Sequence, residues 1–290
     1  MLNRRLIRIK VFQALFGHFK DENPKIDQIT KACRSSILGI EQNFLTVISF
    51  LTELRQFIVA EKNPEELKFK ANEDDKLTYA LMAENSFIDQ IDKHPAVKSY
   101  LKAPKVEWTS QKDLMALIYK EIRKKPEFHS LKSIEDVDRR SFELAVLVYK
   151  SLIMESVDFE HFMEEQVIVW YDEKIPILKN LDRMFERYEK EGKIIMPSLS
   201  KDIDEDLEFA DLLIASFYEN FSELEETLNS YTPGWDSDRI MKIDYVLMCM
   251  ALCEFKYLPF VLVATAFPPA RHILGRAYLP DPTESRVRHF

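Results

Sequence analysis

Arg4, Arg5 and Arg8, with Lys10 and Lys20, give the first twenty residues five bases and no acid, on a chain whose formal charge is −9. A guanidinium presents a planar fork of donors that matches phosphate oxygens and the edges of unstacked bases. Three of them within five residues are suited to contacting nucleic acid. At the helical period, Met1–Lys20 places Val11, Phe12, Leu15, Phe16 and Phe19 on one apolar stripe. The three arginines fall on the same sector, one or two turns earlier. The macrodipole disfavours cations at this end of a helix by about 0.3–1 kcal/mol each. The arginines are therefore either a solvated, frayed terminus or a fork waiting for phosphates that offset the dipole. Charge alone favours the terminus.

The other reactive side chains form no comparable set. His18, His94, His129, His161, His272 and His289 enter no Glu-x-x-His or His-Glu-x-x-His pattern, and there is no phosphate-binding glycine loop and no Gly-x-Ser-x-Gly. His161 lies beside Glu160, Glu164 and Glu165, which have the donors for a metal. A lone histidine on an acidic helix reads more simply as solvated. Cys249 and Cys253 stand four apart with no histidine near in sequence, so they and Cys33 read as core rather than zinc ligands. With no nucleophile–base pair evident, the expectation is a protein that acts by binding, with no catalytic residue, metal or cofactor. The three cysteines suggest no disulfide framework, and neither a signal peptide nor an 18-residue apolar run is evident. A cytoplasmic protein off the membrane is expected.

The elements that would position these groups are helices. Glycine supplies the positive-φ corners of hairpins and dinucleotide-binding turns, and 5 glycines in 290 residues argue against folds that need them. Helix-period runs rich in Leu, Lys, Glu and Phe predict an all-α protein. After a break at Asp21–Pro24, a long helix is expected over Ile26–Glu61, with Ile29, Cys33, Ile37, Ile40, Phe44, Val47, Leu51, Leu54 and Ile58 on its buried face. Residues 63–135 are proline-punctuated and lysine-rich, with helices expected over about Glu73–Lys93 and Ser110–Lys125. A helix or helix pair over Val137–Glu173, a helix over Ile175–Glu191 and a loop over Gly192–Ser200 follow.

Asp202–Glu226 holds ten acids and no base. The acids are a solvated outer face or a docking face for a basic protein, since a field of this sign repels nucleic acid. A last helix opens near Trp235, capped by Asp236 or Ser237, with Ile240, Ile243, Leu247, Met250, Ala251 and Leu258 as its expected buried stripe.

Two separated stretches resemble the NusB transcription-antitermination family. Arg4-Arg5-x-x-Arg8-x-x-Val11-Phe12-Gln13-Ala14-Leu15-Phe16 is similar to that family's arginine-rich opening and Gln-Ala-Leu-aromatic signature. Trp235-x-x-x-Arg239-Ile240-x-x-Ile243-Asp244, continuing into Ala251-Leu252-Cys253-Glu254, resembles its second signature. The resemblance covers roughly residues 1–60 and 204–259. It implies a NusB-like helical bundle with N-terminal helices over 1–62, an inserted helical region over 63–203, C-terminal helices over 204–259 and an atypical tail over 260–290. It also implies an RNA-binding antitermination factor. The family grips single-stranded boxA RNA of ribosomal leaders together with the small-subunit ribosomal protein NusE, and so acts indirectly on the RNA polymerase elongation complex. By position, Arg4, Arg5 and Arg8 match the RNA-contacting arginines, and Phe16 and Asp244 match residues used against the protein partner. The alternative is a helical scaffold that binds a basic protein through its acidic face, without RNA.

The likeness stops after Pro259. The family's Phe-x-Asn-Gly segment has no counterpart, Pro268, Pro269, Pro280 and Pro282 forbid a continuous helix, and four arginines but no lysine follow Lys256. Residues 260–290 are accordingly expected to be a replaced ending that lacks part of the RNA site, with an exposed apolar run over 260–267.

Overall fold

A computed structural model describes the chain except Met1, Lys20, Glu22, residues 67–70, Met154, Leu199, residues 233–239 and residues 259–290, and it omits the side chains of residues 151–153. The described residues form helices and no strand, as the glycine count and helical periodicity predict. The proposed cap near Trp235, Trp235 and Arg239 of the second signature, and the atypical tail lie outside the described residues. The chain divides into two units, one of residues 1–6 and 34–204, the other of residues 7–33 and 205–290. The helices α1 (Arg4–His18) and α2 (Ile26–Glu61) contribute to both.

In the first unit, α2 supplies Phe44 to Ile58, with Phe44, Val47, Ile48, Phe50, Leu51, Leu54 and Ile58 all buried. The expected stripe is thus observed, but the buried face is wider, taking in Ile48 and Phe50. An 18-residue window of α2 is apolar enough to cross a membrane, contrary to the sequence expectation; 72% of it is buried in the protein, where it acts as a core helix. Trp108 is the centre of this core. Its ring lies 4.9 Å from Phe50 and 5.8 Å from Phe159, and its Nε1 donates to the Thr46 carbonyl at 3.1 Å. A buried indole needs both the packing and the acceptor, and α2 provides them.

The remaining helices of this unit are α3 (Glu73–Ala83), α4 (Ser86–Lys93), α5 (Pro95–Leu101), α6 (Lys112–Lys124), α7 (Pro126–Ser130), α8 (Val137–Ile153), α9 (Val157–Gln166) and α10 (Trp170–Glu191). Local chemistry sets their ends. The helix expected over Glu73–Lys93 is broken in two because Asn85 caps α4: its side chain accepts from the Ile88 N–H and donates to the carbonyls of Leu81 and Ser141. Asn72 closes a capping box with Asp75. Pro95 and Pro126 stand in first turns, where the missing N–H is harmless. Gly192 ends α10 at φ 66°, a conformation that favours glycine. Helix α10 begins at Trp170, five residues before its expected start, and carries Pro176 in its interior. Buried Glu173 on α10 accepts from the Asn43 side chain at 2.5 Å, and Lys105 donates to Asn43 at 2.6 Å.

The second unit contains the rest of α1 and α2 with α11 (Ile203–Glu219), α12 (Phe221–Tyr231) and α13 (Lys242–Tyr257). The acidic run over 202–226 falls on two helices, α11 and α12, separated at Asn220. Their inward faces are Leu207, Ala210, Leu213, Ile214 and Phe217, then Leu224 and Leu228. Phe19, Phe221 and Tyr245 form an aromatic cluster, with Phe19 5.9 Å from Phe221 and 6.0 Å from Tyr245.

Trp108→Ala is expected to cost about 3–5 kcal/mol, because it removes the ring at the middle of the first unit's core and leaves a cavity. Urea unfolding should show a lower midpoint; an unchanged midpoint would mean that Trp108 is not central.

Candidate functional site

Helix α1 starts where the Asn3 side chain accepts from the Leu6 N–H at 2.8 Å. No acid stands in its first turn to offset the dipole against the arginines. Its buried residues are Leu6, Ile7, Lys10, Val11 and Leu15. The predicted stripe is therefore rotated: Phe12 and Phe19 are half-buried, Phe16 is 41% exposed, and Phe12 stacks on Phe16 at 5.7 Å on the flank of the helix.

The three arginines differ sharply. Arg5 is exposed and Arg4 half-buried. Arg8 is engaged inside the second unit: its Nε donates to Glu254 Oε2 at 2.7 Å and its Nη2 to Oε1 at 2.5 Å. The two side chains are 25% and 6% exposed, and the Arg8 guanidinium also lies 5.8 Å from the centre of the Phe209 ring. A bidentate fork on a nearly buried carboxylate is among the stronger charge pairs a protein makes. Arg8 is therefore a structural clamp here, and its match to an RNA-contacting arginine does not describe its contacts. The clamp joins residues 246 positions apart, so no local spacing announces it.

Lys10 is buried too, although the sequence gives it only as one more base of the opening. It and Asp211 act on the buried Cys33 thiol with opposite sign, Lys10 favouring the thiolate and Asp211 opposing it. Burial dominates and pushes Cys33 up to about 12; burial likewise raises Cys253 to about 12 and Cys249 to about 11. All three read as core from sequence, and all three are buried and free. Such thiols are poor nucleophiles and poor metal ligands near neutral pH. Among the described residues no group of three His, Cys, Asp or Glu could hold a metal ion. His161 is an exposed ring 3.7 Å from Glu165.

The chain matches no family model, no curated protein sequence and no solved structure.

On α13 the inward residues are Tyr245, Val246, Cys249, Met250, Cys253 and Glu254. Ile243, Leu247 and Ala251, expected to be buried, are exposed, as is Phe255 at 74%. The helix is apolar on most of its circumference, so periodicity could not select the inner face. Asp244 is exposed beside Ile243 and one turn before Leu247. Phe16 and Asp244, the two positions expected to meet a partner, are thus both accessible within the second unit. Glu223 and Glu225 are engaged locally: Glu223 with Lys256 and Tyr257, Glu225 with the Tyr245 hydroxyl at 2.7 Å.

Arg8→Ala should cost about 1.5–3 kcal/mol, since it strands a nearly buried carboxylate. Arg5→Ala should stay within about 0.5 kcal/mol. Equal denaturant midpoints for the two variants would overturn the clamp. The thiols give a pH dependence of definite sign. Their pKa values are higher folded than unfolded, so the stabilisation is complete below about pH 9 and is lost as pH rises through about 11–12. The urea midpoint should fall over that window, and by less in Cys33→Ala.

Proposed function

We propose that this chain binds single-stranded RNA through the arginine-bearing start of α1 and a basic protein through the second unit, as an antitermination factor of the NusB type. The observation that carries the RNA half is Arg5. It is exposed, it has no ion pair among the described residues, and it sits beside Arg4 at a helix start that lacks any acid. A cation left unmatched at the unfavourable end of a helix dipole is stabilised by an arriving phosphate. The protein half rests on exposed Phe16, and on Asp244 set among exposed Ile243 and Leu247. An apolar surface carrying an acid suits a basic ribosomal protein such as NusE. The RNA would be a boxA-like leader element, and the elongation complex would be engaged indirectly. Arg8 contributes by holding α1 against α13 rather than by touching RNA.

A second reading is supported by the same clamp. With Arg8 occupied, the arginine set shrinks, and the exposed acids Asp204, Glu205 and Glu208 of α11 present the opposite charge. In that reading the chain is a helical scaffold for a basic protein and makes no contact with RNA.

Fluorescence anisotropy with a boxA-like RNA, with and without the small-subunit ribosomal protein, separates the two. The expected outcome is an affinity that falls linearly with log salt, with a slope of about −0.7 for each phosphate engaged. In Arg4→Ala/Arg5→Ala the affinity drops and the slope flattens, and the ribosomal protein tightens binding to the intact chain. Identical RNA binding by the intact chain and the double variant, or no RNA binding with the partner present, would sink the antitermination reading. A complex with the partner alone would then favour the scaffold.

A further inference from the structure

Within the first unit the surface between α8 and α10 opens into a groove. One stretch, of about 330 Å³, is floored by Phe142, Val146 and Phe185 and includes the acids Glu143, Asp182, Glu186 and Glu189; Lys150 is the one base lining it. A neighbouring hollow, of about 450 Å³, lies between α7 and α8 rather than against α10; it shares Glu143, Val146 and Lys150 with the first and is lined further by Lys125, Glu127, Leu131 and Ile134. Aromatic rings hold the floor in place. Phe142 stacks on Tyr188 at 5.0 Å, and Phe185 lies 6.0 Å from Phe142 and 5.5 Å from Tyr149.

The charges are arranged to one side. On α10, Asp182, Glu186 and Glu189 follow at steps of four and three and project from one face. Arg183, Arg187 and Lys190 repeat those steps one residue later, so the bases occupy the neighbouring strip. Like charges at these steps repel, and none of the three carboxylates has an ion pair among the described residues. The groove therefore joins a narrow apolar floor, in which Phe142 and Val146 are half-buried and Phe185 is buried, to a wall of acids with no ion pair among the described residues. Nucleic acid is repelled by that wall. A bare cation would satisfy the carboxylates and leave the floor unfilled.

We propose that the α8–α10 groove docks a basic amphipathic helix of a partner protein. Apolar side chains at i, i+3 and i+4 of that helix would cover Phe142, Val146 and Phe185, and flanking lysines or arginines would meet Asp182, Glu186 and Glu189. This gives residues 63–203 a function distinct from the RNA and partner surfaces proposed above, and it does not depend on either.

The test uses the full chain and two labelled peptides of about four helical turns with identical Lys and Leu content. In one the leucines form a single face; in the other they are dispersed around the helix. The expected result is about tenfold tighter binding of the amphipathic peptide. Glu186→Lys/Glu189→Lys and Val146→Asp should each weaken it by about tenfold or more. Asp204→Lys/Glu205→Lys on α11 should leave it unchanged. The altered positions are exposed or half-buried, and far-ultraviolet circular dichroism checks that each variant is folded. Equal affinity for the two peptides, no binding of the amphipathic one, or loss through the α11 variant with the α8 and α10 variants unaffected would each overturn the proposal.

Discussion

Glu254 is a carboxylate held almost out of water on a helix that also buries Val246, Cys249 and Cys253. A charge in that position is tolerable only if it is matched with good geometry, because the desolvation penalty otherwise exceeds any Coulombic gain. Arg8 supplies the match with both arms of its fork, and Phe209 adds a ring beside the guanidinium. This pairing fixes the rotation of α1. With Arg8 directed at α13, the buried residues of α1 in the second unit become Ile7, Lys10, Val11 and Leu15, and Phe12 and Phe16 are turned to the flank. The first unit solves the same problem differently: buried Glu173 takes a hydrogen bond from Asn43, which is itself held by Lys105.

The clamp reshapes the functional argument as well. One guanidinium cannot offer the same pair of donors to a carboxylate and a phosphate together. An RNA that recruited Arg8 would have to replace the Glu254 contact and leave that carboxylate in the interior. Arg5 has no such obligation. The three arginines that look equivalent by spacing therefore differ in their contacts, and the partner that engages Arg8 lies 246 positions away.

Much of the helical architecture is legible in the sequence. The long helix expected over about Ile26–Glu61 is legible, because Asp21–Pro24 and Pro64 break the chain on either side and its apolar stripe is unambiguous. The misses have physical causes. Asn85 is a capping residue inside an unbroken helical pattern, so periodicity alone does not show the break between α3 and α4. Helix α10 starts five residues before its expected start and carries Pro176 in its interior. On α13 the apolar residues surround most of the helix, and the choice of Tyr245, Val246 and Cys249 for the inside over Ile243 and Leu247 is made by tertiary packing. Lys10 is, in the sequence, only one base of a basic opening, yet it is buried in the second unit with Cys33 and Asp211 within electrostatic reach. Of the candidate site, Arg5, Phe16 and Asp244 are exposed, while the engagement of Arg8 is not legible in the sequence because it depends on a long-range pair.

The acids of this chain show why a run of like charge is a poor guide to a docking face. Residues 202–226 look like one continuous acidic surface, but the break at Asn220 splits them between two helices, and Glu223 and Glu225 are taken up by Lys256, Tyr257 and Tyr245. Helix α10 looks charge-balanced by composition, since bases alternate with acids along it. In three dimensions its acids and bases separate onto neighbouring strips, and the acid strip walls a groove with an apolar floor. A field able to hold a cationic partner arises where carboxylates are exposed, unmatched and beside surface that gains from being covered. By that criterion the balanced helix is better equipped than much of the acidic run.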